Sequence, residues 1–442
     1  MQRGLKQLLT PIALLFLIAC DSLDDTPDAD TIYINGAILT LSEHKDKVSA
    51  IAFKNGKVQA IGSHFGVMRH RGDATQVIDL DGKAMVPGFF AGNSQFSKVL
   101  AQTGDLAQAE AAFASQGITT LVDMGISSDE LDILLSNAKA GKFSLEIIAI
   151  PHSDALDVLV EKNQINFSRN YDNRLKIAGF SLTLDGTSDD YSAWMAYPYQ
   201  DNPDLPEPGW RGKSTMPFSK FQTVFQAVVE NELQFFIHAM GDAAVDAIIQ
   251  AGYDLKLNAT QDQRHVVVMS RFMRSSQLNQ YEKLGLLGCF DTSNLHLQGE
   301  KNVDKLGLSR ANGQSPIHEA IELDLPASNI CFAGPGVPDT TFILWSAVNR
   351  VSQEGEIMGP GLRLSPKQAI EAMTSFAAYQ FFEEADKGEL LPGKQADAVI
   401  LSANPMAIAP GLIREIEIIE TIKQGKSIYR QPDNATAQQT AP

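Results

Sequence analysis

Hydrophobic and polar positions follow two patterns along this chain. Short apolar runs at 31–35, 36–41, 50–53, 58–61 and 77–80 are separated by turn residues, and Asn55-Gly56 between two of them predicts a tight hairpin. Runs of the same kind return at 397–401, 415–423 and 425–429, so a small sheet domain built from both chain ends is expected. Between them, eight apolar runs predict strands at 85–90, 118–123, 145–150, 176–182, 234–239, 265–269, 286–290 and 330–333. Most are followed by stretches of helical period, the clearest at 218–230, 243–250 and 275–283. Such strands are apolar enough to be buried on both faces. Their alternation with helices predicts an α/β fold, a TIM-type (β/α)8 barrel rather than a doubly wound sheet, plus a small composite β-sandwich. The expected divisions are sandwich at 31–86, barrel at 87–385, sandwich again at 386–430 and a disordered polar tail at 431–442. The stretch 292–328 is the least regular and is expected to carry a long loop after the seventh strand.

The amino end changes the picture. Arg3 and Lys6 precede an apolar run over 8–19 that is too short to span the ~30 Å core of a bilayer, and Leu17-Ile18-Ala19-Cys20 resembles the lipobox of bacterial lipoproteins. That resemblance implies a signal peptide over 1–19, lipid on Cys20 and residence in the bacterial cell envelope, on the periplasmic side of the inner membrane. The five Asp residues in 21–30 read as a solvated tether. A formal charge of -17, from 36 basic against 53 acidic residues, excludes a nucleic acid partner, since phosphate binding needs concentrated cations. The three cysteines form no CxxC pair, and Cys289 and Cys331 sit in apolar runs, so two buried, inert thiols are expected.

An ordered series of motifs then stands out. Asn55-Gly56-Lys57-Val58, Asp79-Leu80-Asp81-Gly82-Lys83 running into Val86-Pro87-Gly88-Phe89, Gly117-Ile118-Thr119-Thr120, His238-Ala239-Met240-Gly241-Asp242, and Gly388-Glu389-Leu390 with Pro392-Gly393-Lys394-Gln395-Ala396-Asp397 together resemble the amidohydrolase superfamily, specifically its amidohydrolase 3 branch. The resemblance implies a metal-bearing barrel with a β-sandwich made from both chain ends. It also implies hydrolysis of non-peptide C–N bonds by a hydroxide activated on zinc or another divalent metal. The stretch between Gln95 and Gly117 is short where members of this branch carry a long insertion, which implies a reduced substrate enclosure.

The family's metal positions, taken one by one, carry other residues here. The His-x-His pair after the first strand is matched by Asn93 and Gln95, the bridging Lys of the fourth strand by Ser181, the Glu-His of the sixth by Val268-Met269, and the catalytic Asp after the eighth by Pro335. His238 after the fifth strand remains. Neutral amides, a hydroxyl and a thioether do not replace imidazole and carboxylate around zinc, so no metal is expected.

Ligand-binding candidates are Asp123, Asp185, His238 and Asp291, all near predicted strand ends. Each has a structural alternative: Asp185-Gly186 as turn chemistry, His238 as a relic bonded to Asp242 or a neighbouring strand. His296 and His318 are expected to face solvent, and Glu383, Glu384 and Asp386 to form a solvated helix end. The expected function is a catalytically degenerate family member that binds a small molecule or an envelope protein at the strand-end mouth. An active hydrolase using Asp123, His238, Asp291 and His296, and a purely structural lipoprotein, are the alternatives.

Overall fold

The computed structural model describes residues 27–42, 48–92, 96–155, 169–330 and 336–432. Cys20, Asn93, Gln95, Cys331 and Pro335, with the expected signal peptide, most of the tether and nearly all of the tail, lie outside the described residues. No helix among the described residues is long and apolar enough to cross a membrane.

The amino-terminal part holds six strands: β1 (Thr31–Ile34), β2 (Ala37–Ile38), β3 (Ala50–Lys54), β4 (Lys57–Gly62), β5 (Gln76–Asp79) and β6 (Ala84–Pro87). The middle adds β7 (Phe89–Gly92), β8 (Ile118–Ile126), β9 (Glu146–Pro151), β10 (Leu175–Ile177), β11 (Gly179–Thr183), β12 (Gln234–His238), β13 (Val266–Val268) and β14 (Leu287–Cys289). The carboxy-terminal part supplies β15 (Ala398–Leu401), β16 (Ile418–Lys423) and β17 (Lys426–Arg430).

Two sheets come from the chain ends. One has the order β4-β3-β1-β5, and its β3–β4 hairpin turns through Asn55 and Gly56 at φ 50° and 77°, the left-handed pair that a two-residue turn demands. The other, β17-β16-β15-β6-β2, is built from both ends of the chain. Tyr33, Ile51 and Phe53 of the first sheet share an apolar cluster with Met85, Ile400 and Ile422 of the second.

The middle strands pair in parallel as β10-β9-β8-β7 and β11-β12-β13-β14. Three local pairings link them. A parallel bridge joins His152 to Ser181, another joins Cys289 to Ser328, and the Gly92 N–H donates to the Ile330 carbonyl at 2.8 Å. Helices follow the strands as the periodicity requires, including Phe218–Glu230, Asp242–Asp254 and Ser275–Leu284.

Several expectations need correction. The stretch 292–328 is largely helical, in Ser293–Leu306, Leu308–Asn312 and Ile317–Glu322, because its buried positions include Ser293, Asn294, Gly299 and Asn302, which carry no hydrophobic signal. His296 therefore does not face solvent: its ring packs edge-on against Phe342 and Trp345, and its Nδ1 lies 2.8 Å from the Val351 carbonyl oxygen. Cys289 is not a free thiol but disulfide-bonded to a partner outside the described residues.

Glu383 is likewise buried, in a cluster with Lys176, Lys387, Glu146, Lys423 and Asp397. Lys423 Nζ lies 2.6 Å from Asp397 and 2.7 Å from Glu146, while Lys387 pairs with both Glu146 and Glu383. Three lysines face three acids, so the cluster is formally neutral. It ties the start of β9 and the middle of β10 to the ends of β15 and β16, joining the parallel strands to the composite sheet. Burial alone would raise the Glu146 carboxyl, but the Lys423 and Lys387 ammonium groups outweigh it and hold the group at about 2.

Glu146→Gln removes one carboxylate from each of two buried lysines, and we expect a loss of about 3 kcal/mol in urea unfolding at neutral pH. A loss indistinguishable from zero would show that the cluster does not hold the two parts together. The folded carboxyl also titrates below its unfolded value of roughly 4.3, so its contribution is complete above that value and is lost as pH falls through the folded one. Acid titration followed by circular dichroism should therefore show the wild type losing stability more steeply than Glu146→Gln between about pH 4 and 2, whereas equal slopes would contradict the assignment.

Candidate functional site

Alternation along the parallel strands sorts their side chains onto two faces. One carries Phe90, Val122, Ile148, Phe236, Val266 and Val268 in a shared cluster, and the other packs Ala91, Leu121, Ile147, Phe235 and Val267 against the helices. This parity decides where each candidate goes.

Asp123 lies between Val122 and Met124 and so faces the helices. Its Oδ2 accepts the Ser97 N–H at 2.7 Å, at the start of the helix Phe96–Thr103. Its Oδ1 has no partner among the described residues, and burial pushes the carboxyl up to about 7. The structure does not bring it to the other candidates. His265 is also remote: it precedes β13, accepts the Phe235 N–H on Nδ1 at 3.1 Å and packs edge-on against Phe225. Burial lowers its ring to about 3.

Asp185 is fully buried just beyond β11, and both its oxygens are taken by backbone. It accepts N–H bonds from Met240 at 2.8 Å, Trp194 at 2.8 Å and Gly241 at 2.9 Å. Burial raises this carboxyl to about 7 against the pull of those three bonds. The group clamps the loop after β11 to the turn after β12. That close approach explains the glycine in the His238-to-Asp242 motif, since a Cβ on Gly241 would stand 2.0 Å from the Trp194 carbonyl oxygen.

Ser181, His238 and Met269 share the inner face or its end. Ser181 Oγ donates to the Pro151 carbonyl at 3.3 Å, and Met269, at φ 61°, is buried in the apolar cluster. His238 closes β12 half-buried, with an Nδ1 that has no hydrogen-bond partner among the described residues. Burial first, and the Arg271 charge second, lower its ring to about 4, so it is neutral at physiological pH.

Arg271 follows β13 and was not foreseen. Its side chain is 2% exposed, yet its contacts are sparse. Nη1 donates to the Met240 sulfur at 3.6 Å, Nη2 lies 3.7 Å from Asp291 Oδ2, and Nε and Nη2 have no hydrogen-bond partner among the described residues. The Ser188 N–H reaches the same sulfur at 3.3 Å, and the Ser188 hydroxyl, also buried, lacks a partner too. Asp291 is buried beyond β14 and accepts the Ser293 N–H at 3.0 Å and the Ser293 hydroxyl. Behind this group, Ser315 donates its N–H to the Arg271 carbonyl and its hydroxyl to the Asp291 carbonyl. Arg350, itself fully buried, fixes that loop by donating to the carbonyls of Ser315, Gln314, Asn312 and Met358. The structure thus gathers His238, Arg271, Asp291 and Ser188, and leaves Asp123, His296 and His318 elsewhere. The available signal for Arg271 was a basic residue placed shortly after an all-valine strand.

These residues do not fit a divalent metal. A hydroxyl already committed to a carbonyl, a thioether in an apolar cluster and one imidazole make a poor donor set for zinc. No group of three or more His, Cys, Asp or Glu positioned to hold an ion is found among the described residues. The Arg271 charge that disfavours a protonated His238 opposes a dication at the same place. What the arrangement offers is buried hydrogen-bond donors, the Arg271 guanidinium and the Ser188 hydroxyl.

Comparison with known proteins gives the family. A model described as "Amidohydrolase family" matches residues 98–429, well over half of the chain. The protein LONG AFTER FAR-RED 3 of Arabidopsis thaliana is 25% identical over 310 residues, covering 66% of this chain and 51% of that protein. The chain spans about half the length of the curated relatives it matches first. A metal-dependent hydrolase of Pyrococcus furiosus superposes with a TM-score of 0.72 at 18% identity, covering 85% of this chain and 99% of that one, and its Pyrococcus horikoshii counterpart gives 0.72 and 18% with coverage of 86% and 99%. These two likenesses establish the fold alone. By the extent of the family match, the chain belongs to the amidohydrolase family.

Proposed function

We propose that this protein is a catalytically degenerate amidohydrolase that binds a small molecule at the carboxyl ends of its parallel strands without a metal. The two parallel four-stranded sheets are read as a closed (β/α)8 barrel, supported by the His152–Ser181 and Cys289–Ser328 bridges and the Gly92 to Ile330 bond. The two end-derived sheets are read as a composite β-sandwich around their shared cluster. One observation carries the functional reading: a buried guanidinium, Arg271, occupies the strand-end mouth beside His238, where the family's chemistry calls for a cation bound by imidazole and carboxylate. The substitutions at Asn93, Gln95, Ser181, Met269 and Pro335 support it from the sequence side. A neutral His238 whose Nδ1 has no hydrogen-bond partner among the described residues lacks the orienting acid that a general base uses. The lipobox-like segment ending in Cys20 and the acidic stretch after it support a lipid-anchored envelope protein.

Thermal melting with zinc or manganese, with EDTA, and a hydrolysis assay on N-formyl, N-acetyl and cyclic amides test this reading. We expect a melting temperature indifferent to metal and chelator and no metal-dependent turnover. Metal-dependent stabilisation accompanied by turnover, both lost in His238→Ala, would overturn it.

A further inference from the structure

The binding reading above leaves the ligand's chemistry open, and three polar groups at the mouth narrow it. Arg271, Ser188 and His238 each keep a polar atom without a partner among the described residues, and Arg271 and Ser188 are brought together by the Met240 sulfur that both contact. Resting on that reading, we propose that the mouth receives a small molecule through a carboxylate, held by the Arg271 guanidinium and the Ser188 hydroxyl next to the His238 ring.

Other arginines in the chain serve as controls. Arg350 is equally buried and donates to four carbonyl oxygens at 2.7 to 3.3 Å. Arg264 forks onto Asp262 and Glu384 and donates to the Tyr379 carbonyl. An arginine kept here for packing is saturated. Arg271 has five N–H donors and spends one on a thioether, a weak acceptor, while its nearest carboxylate oxygen stands at 3.7 Å, beyond hydrogen-bond reach. A buried charge left so poorly paired is costly, and an oxyanion presented to Nε and Nη2 matches the planar fork of a guanidinium.

The partner's charge is also constrained. Asp291 stands beside Arg271, buried, and holds one unit of negative charge against the same guanidinium. A dianion such as phosphate would meet more repulsion from that carboxylate, and from Asp189, whose charge also acts on Arg271, than a monoanionic carboxylate does. A cationic ligand would meet the guanidinium itself.

The test compares acids with their neutral amides at constant ionic strength: acetate, benzoate and N-acetylglycine against acetamide, benzamide and N-acetylglycinamide, by thermal shift and calorimetry on the full chain. The acids should raise the melting temperature and the amides should not. Arg271→Gln should weaken acid binding by about 10- to 100-fold, the value of one charge-assisted hydrogen bond. Because Arg271→Gln removes the guanidinium charge beside buried Asp291, the double variant Arg271→Met with Asp291→Asn is the second measure: it should melt no lower than wild type and bind none of the acids. If the amides bind as well as the acids, the carboxylate assignment falls while the small-molecule reading stands. If no probe binds and the double variant melts far below wild type, Arg271 is a packing residue and both fall.

Discussion

An arginine side chain buried beyond the end of a parallel strand, without a full set of acceptors among the described residues, is the constraint around which the strand-end site is organised. A guanidinium does not shed its proton in a protein, so burial cannot be relieved by neutralisation as it can for an acid or an imidazole. The neighbouring side chains must adjust instead. His238 becomes a neutral ring, Asp291 approaches without closing a hydrogen bond, and the Met240 sulfur fills the remaining direction. The same charge opposes a dication placed beside His238.

The rest of the fold makes that placement durable. Asp185 gathers three N–H groups from two loops, and Arg350 gathers three carbonyls from 312–315 and that of Met358, so both sides of the mouth are pinned by single buried side chains. At the other end of the strands, the cluster of Lys176, Glu383, Lys387, Glu146, Lys423 and Asp397 fastens the parallel strands to the composite sheet. Buried ion pairs of this kind contribute little net stability over apolar packing, yet losing one member is severe, so they enforce a fixed geometry.

Much of the architecture was legible in the sequence because it rests on local rules. The Asn55-Gly56 hairpin follows from left-handed turn chemistry, and the helix Phe218–Glu230 from its apolar stripe of Phe221, Phe225 and Val228. Where the structure departs, the missing information was tertiary. Polar and small residues fill the buried face of Ser293–Leu306, so its period was silent. Glu383 looked solvated because its partner Lys176 lies two hundred positions earlier in the chain. Asp123 was placed at the mouth by position along its strand, while its face is set by parity with Val122. Arg271 carried no motif at all, and only the orphaned donors around it mark it as more than structural.

The central claim is that the strand-end mouth carries its own fixed positive charge and therefore holds no catalytic cation. Elemental analysis of full-length protein purified without chelators tests it most directly. The account predicts zinc, manganese and iron together far below one equivalent per chain; a full equivalent that survives gel filtration and disappears in His238→Ala would contradict it.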